Sequence, residues 1–290
     1  MLQIQNGRVL TMAGKTFENG QVLIENGKIK SVGEYLSIPN AKAEVIDALG
    51  GWILPGLIEA HCHIGITEEK KGFEGDDCNE VNQPVIPYLK ALDAVNPMDS
   101  AFHNALSAGI TAVMVGPGSS NVVGGQFLVM KTHGRVMDQM VVKEPAAMKV
   151  AFGENPKTNY SGQNKVPSTR MSVGALLRDE LTRAQNYCSR KETAQQKGEA
   201  FEEDYQMECW LPVLTGKIPM KAHVHRADDI LTAIRIAKKF GLGLTLDHCT
   251  EGHLIAREIK ESGFPAIIGP TMSSRNKIEV QNMDFKTPGI

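Results

Sequence analysis

Between residues 219 and 269 the chain reads strand, helix, strand, helix, strand, and this alternation narrows the possible folds more than any other feature. MKAHVH, residues 220–225, is strand-like. The following DDILTAIRIAKKF places Ile230, Leu231, Ile234, Ile236, Ala237 and Phe240 near helical spacing. Asp228 and Asp229 suit the positive end of the helix dipole, and Gly241 suits its C-terminal stop. LGLTLDH begins the next strand, residues 254–263 repeat the helix, and PAIIGP follows as a third strand. Strands joined this way run parallel, with right-handed crossovers. Further candidates near 53–61, 111–116, 126–132 and 146–152 join those near 219–225, 243–248 and 265–269. That makes about seven, where a closed (β/α)8 barrel has eight. The expected class is α/β, a (β/α)8-type barrel whose eighth strand is missing.

The first fifty-odd residues have a different rhythm. Residues 3–12 read as a strand broken at Asn6-Gly7, and VLIENGKIKSV reads as a hairpin turning at Asn26-Gly27. Asn19-Gly20 and Gly50-Gly51 punctuate the rest. The expected division is a small antiparallel sheet at 1–52 and an incomplete barrel at 53–290. Residues 152–218 form a long polar insertion, and SVGALLRDELTRAQNYCSRKETAQQ within it reads as a solvated helix on the barrel's outside, or as a lid.

Composition removes several functional classes. A net charge of -2 gives no basic field for nucleic acid and no polybasic tail for a membrane surface. No run approaches the roughly 18 apolar residues of a membrane span. MLQIQNGRVL lacks the pattern of a signal peptide. Five scattered cysteines make a disulfide framework unexpected, so a cytoplasmic location is expected.

Histidines gather where strands end. In GGWILPGLIEAHCHIG, His61 and His63 face one way and Cys62 the other, so two imidazoles can hold one ion. Ala222-His223-Val224-His225 repeats the pattern, and Asp247-His248 closes the next strand. Lys149 is a lone lysine in the apolar run 145–152, where an ammonium is costly unless paired, neutralised or extended to solvent. His103, His133 and His253 read as structural or exposed. The glycines of 116–118 and 124–125 match no phosphate-loop spacing. Arg275 and Lys277 follow the last strand; either could take a substrate carboxylate, or both are solvated loop charges.

Residues 53–63, with Pro55-Gly56 leading into His61-Cys62-His63, resemble the entry motif of the amidohydrolase superfamily, although Glu59 stands where Asp is commoner. The resemblance extends over nearly the whole chain and is most specific at 53–63 and 219–250, and it implies that the sheet at 1–52 is a small β-sandwich handing over through Pro55-Gly56 to the barrel. It implies that His61 and His63 bind a divalent ion, Zn²⁺ or alternatively Fe, Mn or Ni. It implies one metal- or substrate-binding histidine on each of the fifth and sixth strands. The acidic residue three positions on favours His225, with His223 second, and His248 serves the sixth strand. In the imidazolonepropionase-like and prolidase-like branch, a carboxylated lysine bridges two metals, and Lys149 occupies the matching place. Glu144 and Glu154 are alternative carboxylate ligands.

The family's eighth strand ends in a base-forming Asp. Asp284, in a polar segment that does not read as a strand, is not assigned that role, and the sequence is expected to be C-terminally truncated. The resemblance implies a metal-dependent hydrolase of an amide, a cyclic amide such as an imidazolone, or a dipeptide. His248 and Lys149 would serve catalysis, and Asp228 and Arg275 substrate binding. The alternatives are a deaminase of the same superfamily or a non-catalytic truncated domain. The expected partner is a small-molecule substrate, and unpaired strand edges make a homo-oligomer possible.

Overall fold

Asn26 and Gly27 both take positive φ, 53° and 72°, which is the type I′ geometry that matches the twist of a two-residue hairpin. They join β2 (Thr16–Glu25) to β3 (Lys28–Gly33), with Glu25 opposite Lys28. β1 (Leu2–Leu10) pairs antiparallel with β2. Asn6-Gly7 does not break β1; the register shifts around Gly7 and the strand continues. β4 (Glu44–Asp47) and β5 (Trp52–Ile53) both lie parallel to β1. The described residues of this unit therefore form one mixed five-stranded sheet rather than a purely antiparallel one. The computed structural model describes residues 1–36, 43–69 and 71–290. It divides the chain into units at Met1–Leu57 and Ile58–Ile290. Trp52 and Ile53 pair with Arg8 and Val9, so they extend the N-terminal sheet.

The larger unit is built on a seven-stranded sheet. Its strands are β6 (Leu57–Cys62), β7 (Ile110–Val115), β8 (Val123–Lys131), β9 (Val141–Ala151), β10 (Met220–Val224), β11 (Leu244–His248) and β12 (Ala266–Ile268). They lie in sequence order across the sheet, which curls into a nearly closed barrel. The curl brings His61 of β6 within hydrogen-bond reach of Asp247 of β11. β9 through β12 are parallel neighbours, as the helical links between them require.

β8 departs from the expected plan. It runs antiparallel to both β7 and β9. A parallel return needs a crossover of a dozen or more residues. β7 ends at Val115 and β8 starts at Val123, while β8 ends at Lys131 and β9 starts at Val141. Links this short can only turn the chain back on itself. The strand expected near 126–132 is present, but reversed.

The longer helices that flank the sheet are α1 (Ser100–Ser107), α2 (Glu154–Ser161), α3 (Arg170–Lys197), α4 (Ala227–Phe240) and α5 (Ala256–Ser262). Asp99 caps α1 by accepting from Ala101 N. Gly241 and Gly263 end α4 and α5 in the left-handed conformation. α3 is the solvated helix expected in the insertion, and it buries one face. Val173, Leu177, Leu181, Ala184 and Tyr187 share a hydrophobic cluster with Trp210 and with residues of β9, β10 and β11. Trp210 Nε1 donates to the buried Glu180 at 3.0 Å, which anchors the helix to the barrel's flank. No described helix is long and apolar enough to cross a membrane.

Candidate metal centre

The strand ends converge on five imidazoles. His61 lies at the end of β6 and His63 just beyond it; His223 lies at the end of β10 with His225 just after; His248 is the last residue of β11. Ring centroids of His61 and His63 lie 5.2 Å apart, those of His61 and His248 5.0 Å, and those of His223 and His248 4.7 Å. His225 stacks on His248 with a centroid separation of 4.8 Å. His223, His225 and His248 bring one ligand atom each within 4.8 Å of one another. The β10 strand end therefore contributes both of its histidines to the cluster. The pair at β6 stands beside this triad and extends it.

Each of four rings is held from behind. His63 and His248 direct Nδ1 at the carbonyl oxygens of Gly116 and Gly269, both at 2.7 Å. A carbonyl only accepts, so Nδ1 carries the proton and Nε2 keeps its lone pair for a metal. His61 Nδ1 meets Asp247 Oδ2 at 2.7 Å, and His225 Nδ1 meets Thr250 Oγ1 at 2.7 Å. Burial pushes His61 and His225 down to about 3 and His248 to about 4. His63 and His223 are lowered for the same reason. All five are thus neutral near pH 7, the form that binds metal.

Two lysines lie under the cluster. Lys149 of β9 and Lys221 of β10 are opposite each other in register, both with no solvent exposure. Each Nζ is 5.6 Å from the centroid of Phe127. Lys221 has an answering charge, donating to Asp247 Oδ1 at 3.1 Å. Lys149 Nζ has no hydrogen-bond partner among the described residues. Burial lowers its pKa to about 8; Asp247 works against this and Lys221 with it. Gly124 on β8 makes the room, because a Cβ there would meet Lys149 Cγ at 3.3 Å. Lys149 therefore does not extend to solvent.

The donor set fits a divalent ion. Three imidazoles are clustered, two of them with Nδ1 committed elsewhere, and a buried amine beside them lacks a partner. A second buried atom, Glu279 Oε1, also lacks a hydrogen-bond partner among the described residues. A cavity of about 390 Å³ opens beside His61, His63 and His248, bounded by Glu59 and by Ile267, Ile268, Gly269 and Pro270. That volume suits a small ligand. A larger concavity of about 630 Å³ lies along α3 near Arg183 and Met207, with no histidine in its lining.

Other expected site residues have different neighbours. Asp228 forms a forked pair with Arg226 at 2.9 and 3.0 Å, on the first turn of α4. Arg275 Nη2 donates to Met283 O at 2.7 Å, and Lys277 Nζ to Asn155 Oδ1 at 2.6 Å. Glu144 lies near Lys90, 3.4 Å away, and Glu154 begins α2. Asp284 Oδ1 accepts from the backbone of Lys286. Asp247, Lys221, Thr250 and Glu279 belong to the site, although sequence patterning alone does not assign them to it.

No family model matches the chain. The crystal structure of an amidohydrolase from Thermotoga maritima MSB8 is 43% identical, with a TM-score of 0.96, over 100% of this chain and 75% of that one. The amidohydrolase tasK of Hapsidospora irregularis is 26% identical over 81% of this chain and 26% of its own length. A dihydroorotase of Trichlorobacter lovleyi is 40% identical over 61% of this chain and 41% of its own. The chain spans well under half the length of these two curated relatives. A barrel with histidines at its strand ends defines the class, and the chain belongs to the amidohydrolase superfamily.

Proposed function

We propose that this chain carries the metal centre of a hydrolase that cleaves a C–N bond in an amide, a cyclic amide of the imidazolone kind, or a dipeptide. One observation carries this reading: Lys149 Nζ is wholly buried, without a partner among the described residues, on the strand next to the histidines of β10. An amine with its pKa at about 8 has a reactive neutral fraction near neutral pH. Its lone pair adds to the carbon of CO₂, one proton leaves the nitrogen, and a carbamate anion results. That anion replaces an uncompensated cation with two oxygen ligands.

His223, His225 and His248 would hold one divalent ion, zinc or another metal of similar ligand preference. His61 and His63 would hold a second, with Lys149 between them. A bound divalent ion polarises a carbonyl and lowers the pKa of its water towards ~7. The protein's own part is to fix the imidazoles through Gly116, Asp247, Thr250 and Gly269, and to keep bulk water from Lys149. His248, with Nδ1 committed to Gly269 O, turns its other nitrogen towards the cavity side.

A deaminase reading uses the same histidines but leaves Lys149 a free amine. The test is metal content and ¹³C NMR of protein equilibrated with ¹³C-bicarbonate. The expected result is one or two ions per chain, lost in a His223→Ala/His225→Ala variant, and a carbamate resonance absent from Lys149→Met. Folded protein with no metal would sink the proposal, and metal without a carbamate would favour deamination. Turnover of a panel of cyclic amides and dipeptides then sorts the substrate class.

A further inference from the structure

Glu279 lies on a single turn, Ile278–Val280, in the segment that follows β12. It is 1% exposed. Its Oε2 accepts from Glu154 N at 2.9 Å, and Glu279 N donates back to Glu154 Oε2 at 3.4 Å. This reciprocal pair fixes the carboxylate at the start of α2 and aims the other oxygen into the cluster. Oε1 then stands 3.7 Å from His223 Nε2 and 3.8 Å from His225 Nε2. Both separations are too long for a hydrogen bond. They are ion-pair distances only if the imidazoles are charged, and Oε1 has no hydrogen-bond partner among the described residues. Asn155 Nδ2 also approaches His223 Nε2, at 3.4 Å.

Glu279 Oε1 thus faces two imidazole nitrogens, His223 Nε2 within reach of Asn155 Nδ2, and makes no hydrogen bond of its own among the described residues. Leaving it so costs about 1–3 kcal/mol or more. Two metal–ligand bonds of about 2.1 Å at a tetrahedral angle separate their donor atoms by about 3.4 Å. The observed gaps are a few tenths of an ångström wider, which a bound cation would close by pulling its donors inward.

We infer that Glu279 Oε1 is a ligand of the divalent ion held by His223 and His225, supplied by the segment that crosses the barrel mouth after β12. The inference rests on the metal-centre reading above. It assigns the centre a protein carboxylate besides any carbamate on Lys149. It also makes residues 271–290 part of the site, tethered there by Lys277 to Asn155 and by Asn282 to Glu251.

The test strips the full chain with a chelator and titrates it with Co²⁺, reading affinity and the visible ligand-field spectrum. Wild type, Glu279→Gln, Glu279→Asp and an Asp284→Asn control are compared. Glu279→Gln is expected to weaken Co²⁺ binding about tenfold or more and to change the spectrum. Its metal-free melting temperature is expected to hold or rise, because the amide carries no charge into a buried site. Asp284→Asn should match wild type.

Wild-type affinity and spectrum in Glu279→Gln would overturn the assignment while leaving the histidine centre standing. Wild type that takes up no Co²⁺ would overturn both. If Glu279→Gln does not fold, Glu279→Asp decides. A weakened affinity and altered spectrum there support the ligand role, and unchanged values overturn it.

Discussion

Asp247 and His61 are 186 positions apart in sequence, yet Oδ2 of one sits 2.7 Å from Nδ1 of the other. The same carboxylate takes the Lys221 ammonium on its other oxygen. Burial works to raise the Asp247 carboxyl, but His61, Lys221 and Lys149 outweigh it and hold it below the usual carboxylate range. One side chain therefore orients a candidate metal ligand and neutralises a buried cation.

Asp247→Asn is accordingly expected to cost about 3–5 kcal/mol of stability, the cost of leaving Lys221 buried and unpaired. Urea unfolding of the metal-free protein measures it. Metal affinity should fall about 10–100-fold as His61 loses its orienting partner. Thr245→Val removes only a 3.2 Å hydrogen bond to the same carboxylate and should cost about 1 kcal/mol.

Lys149→Met separates stability from activity. Removing a buried ammonium that has no partner should raise the melting temperature of the metal-free chain. On a substrate found by screening, kcat/KM should fall at least about 100-fold, equivalent to about 2.7 kcal/mol of transition-state stabilisation. A variant that keeps its turnover would remove Lys149 from the chemistry.

The pH dependence of the metal-free protein has a definite sign. The folded-state values of His61 and His225 are about 3 and that of His248 about 4, all below the ordinary histidine value of 6.5. Between these limits the unfolded chain binds more protons than the folded one, so stability falls as pH falls. The contribution is complete above about pH 6.5 and drains away towards pH 3–4. Each such histidine steepens the curve by about 1.4 kcal/mol per pH unit. Unfolding curves between about pH 7.5 and 5 check this, and a flat profile would contradict it.

Gly124→Val places carbon where Lys149 now runs, since even a Cβ comes to 3.3 Å of Lys149 Cγ. Overpacking there should cost about 1–3 kcal/mol. Gly27→Ala, in open space, tests a different cost, the strain of a left-handed turn residue. Thermal unfolding of the two variants should separate crowding from backbone strain, because only Gly124→Val should also disturb metal uptake.

The strand ends carrying His61, His63, His223, His225, His248 and Lys149 are legible because period-2 and helical patterning place them without knowledge of distant contacts. The reversal of β8 has a signal in the sequence too, in link length: the stretches between 115 and 123 and between 131 and 141 are too short for crossovers. Lys221 and Asp247 leave a fainter signal. Each is a charge inside an apolar strand, and each is the other's explanation, but Lys221 stands opposite Thr245 in the register, and only the diagonal hydrogen bond across β10 and β11 shows it. Glu279 leaves no local signal. Its segment has no periodicity, and its partner Glu154 lies 125 positions earlier.

The reversal of β8 has a practical consequence. Because Val123 pairs with Val150 and Met130 with Val141, the strand starts at the histidine end and finishes at the opposite one. The link carrying the exposed His133, Gly134 and Arg135 therefore emerges on the face away from the candidate centre. A tag, fluorophore or surface tether grafted there would immobilise the molecule with its mouth turned outward, accessible to whatever substrate is flowed across it.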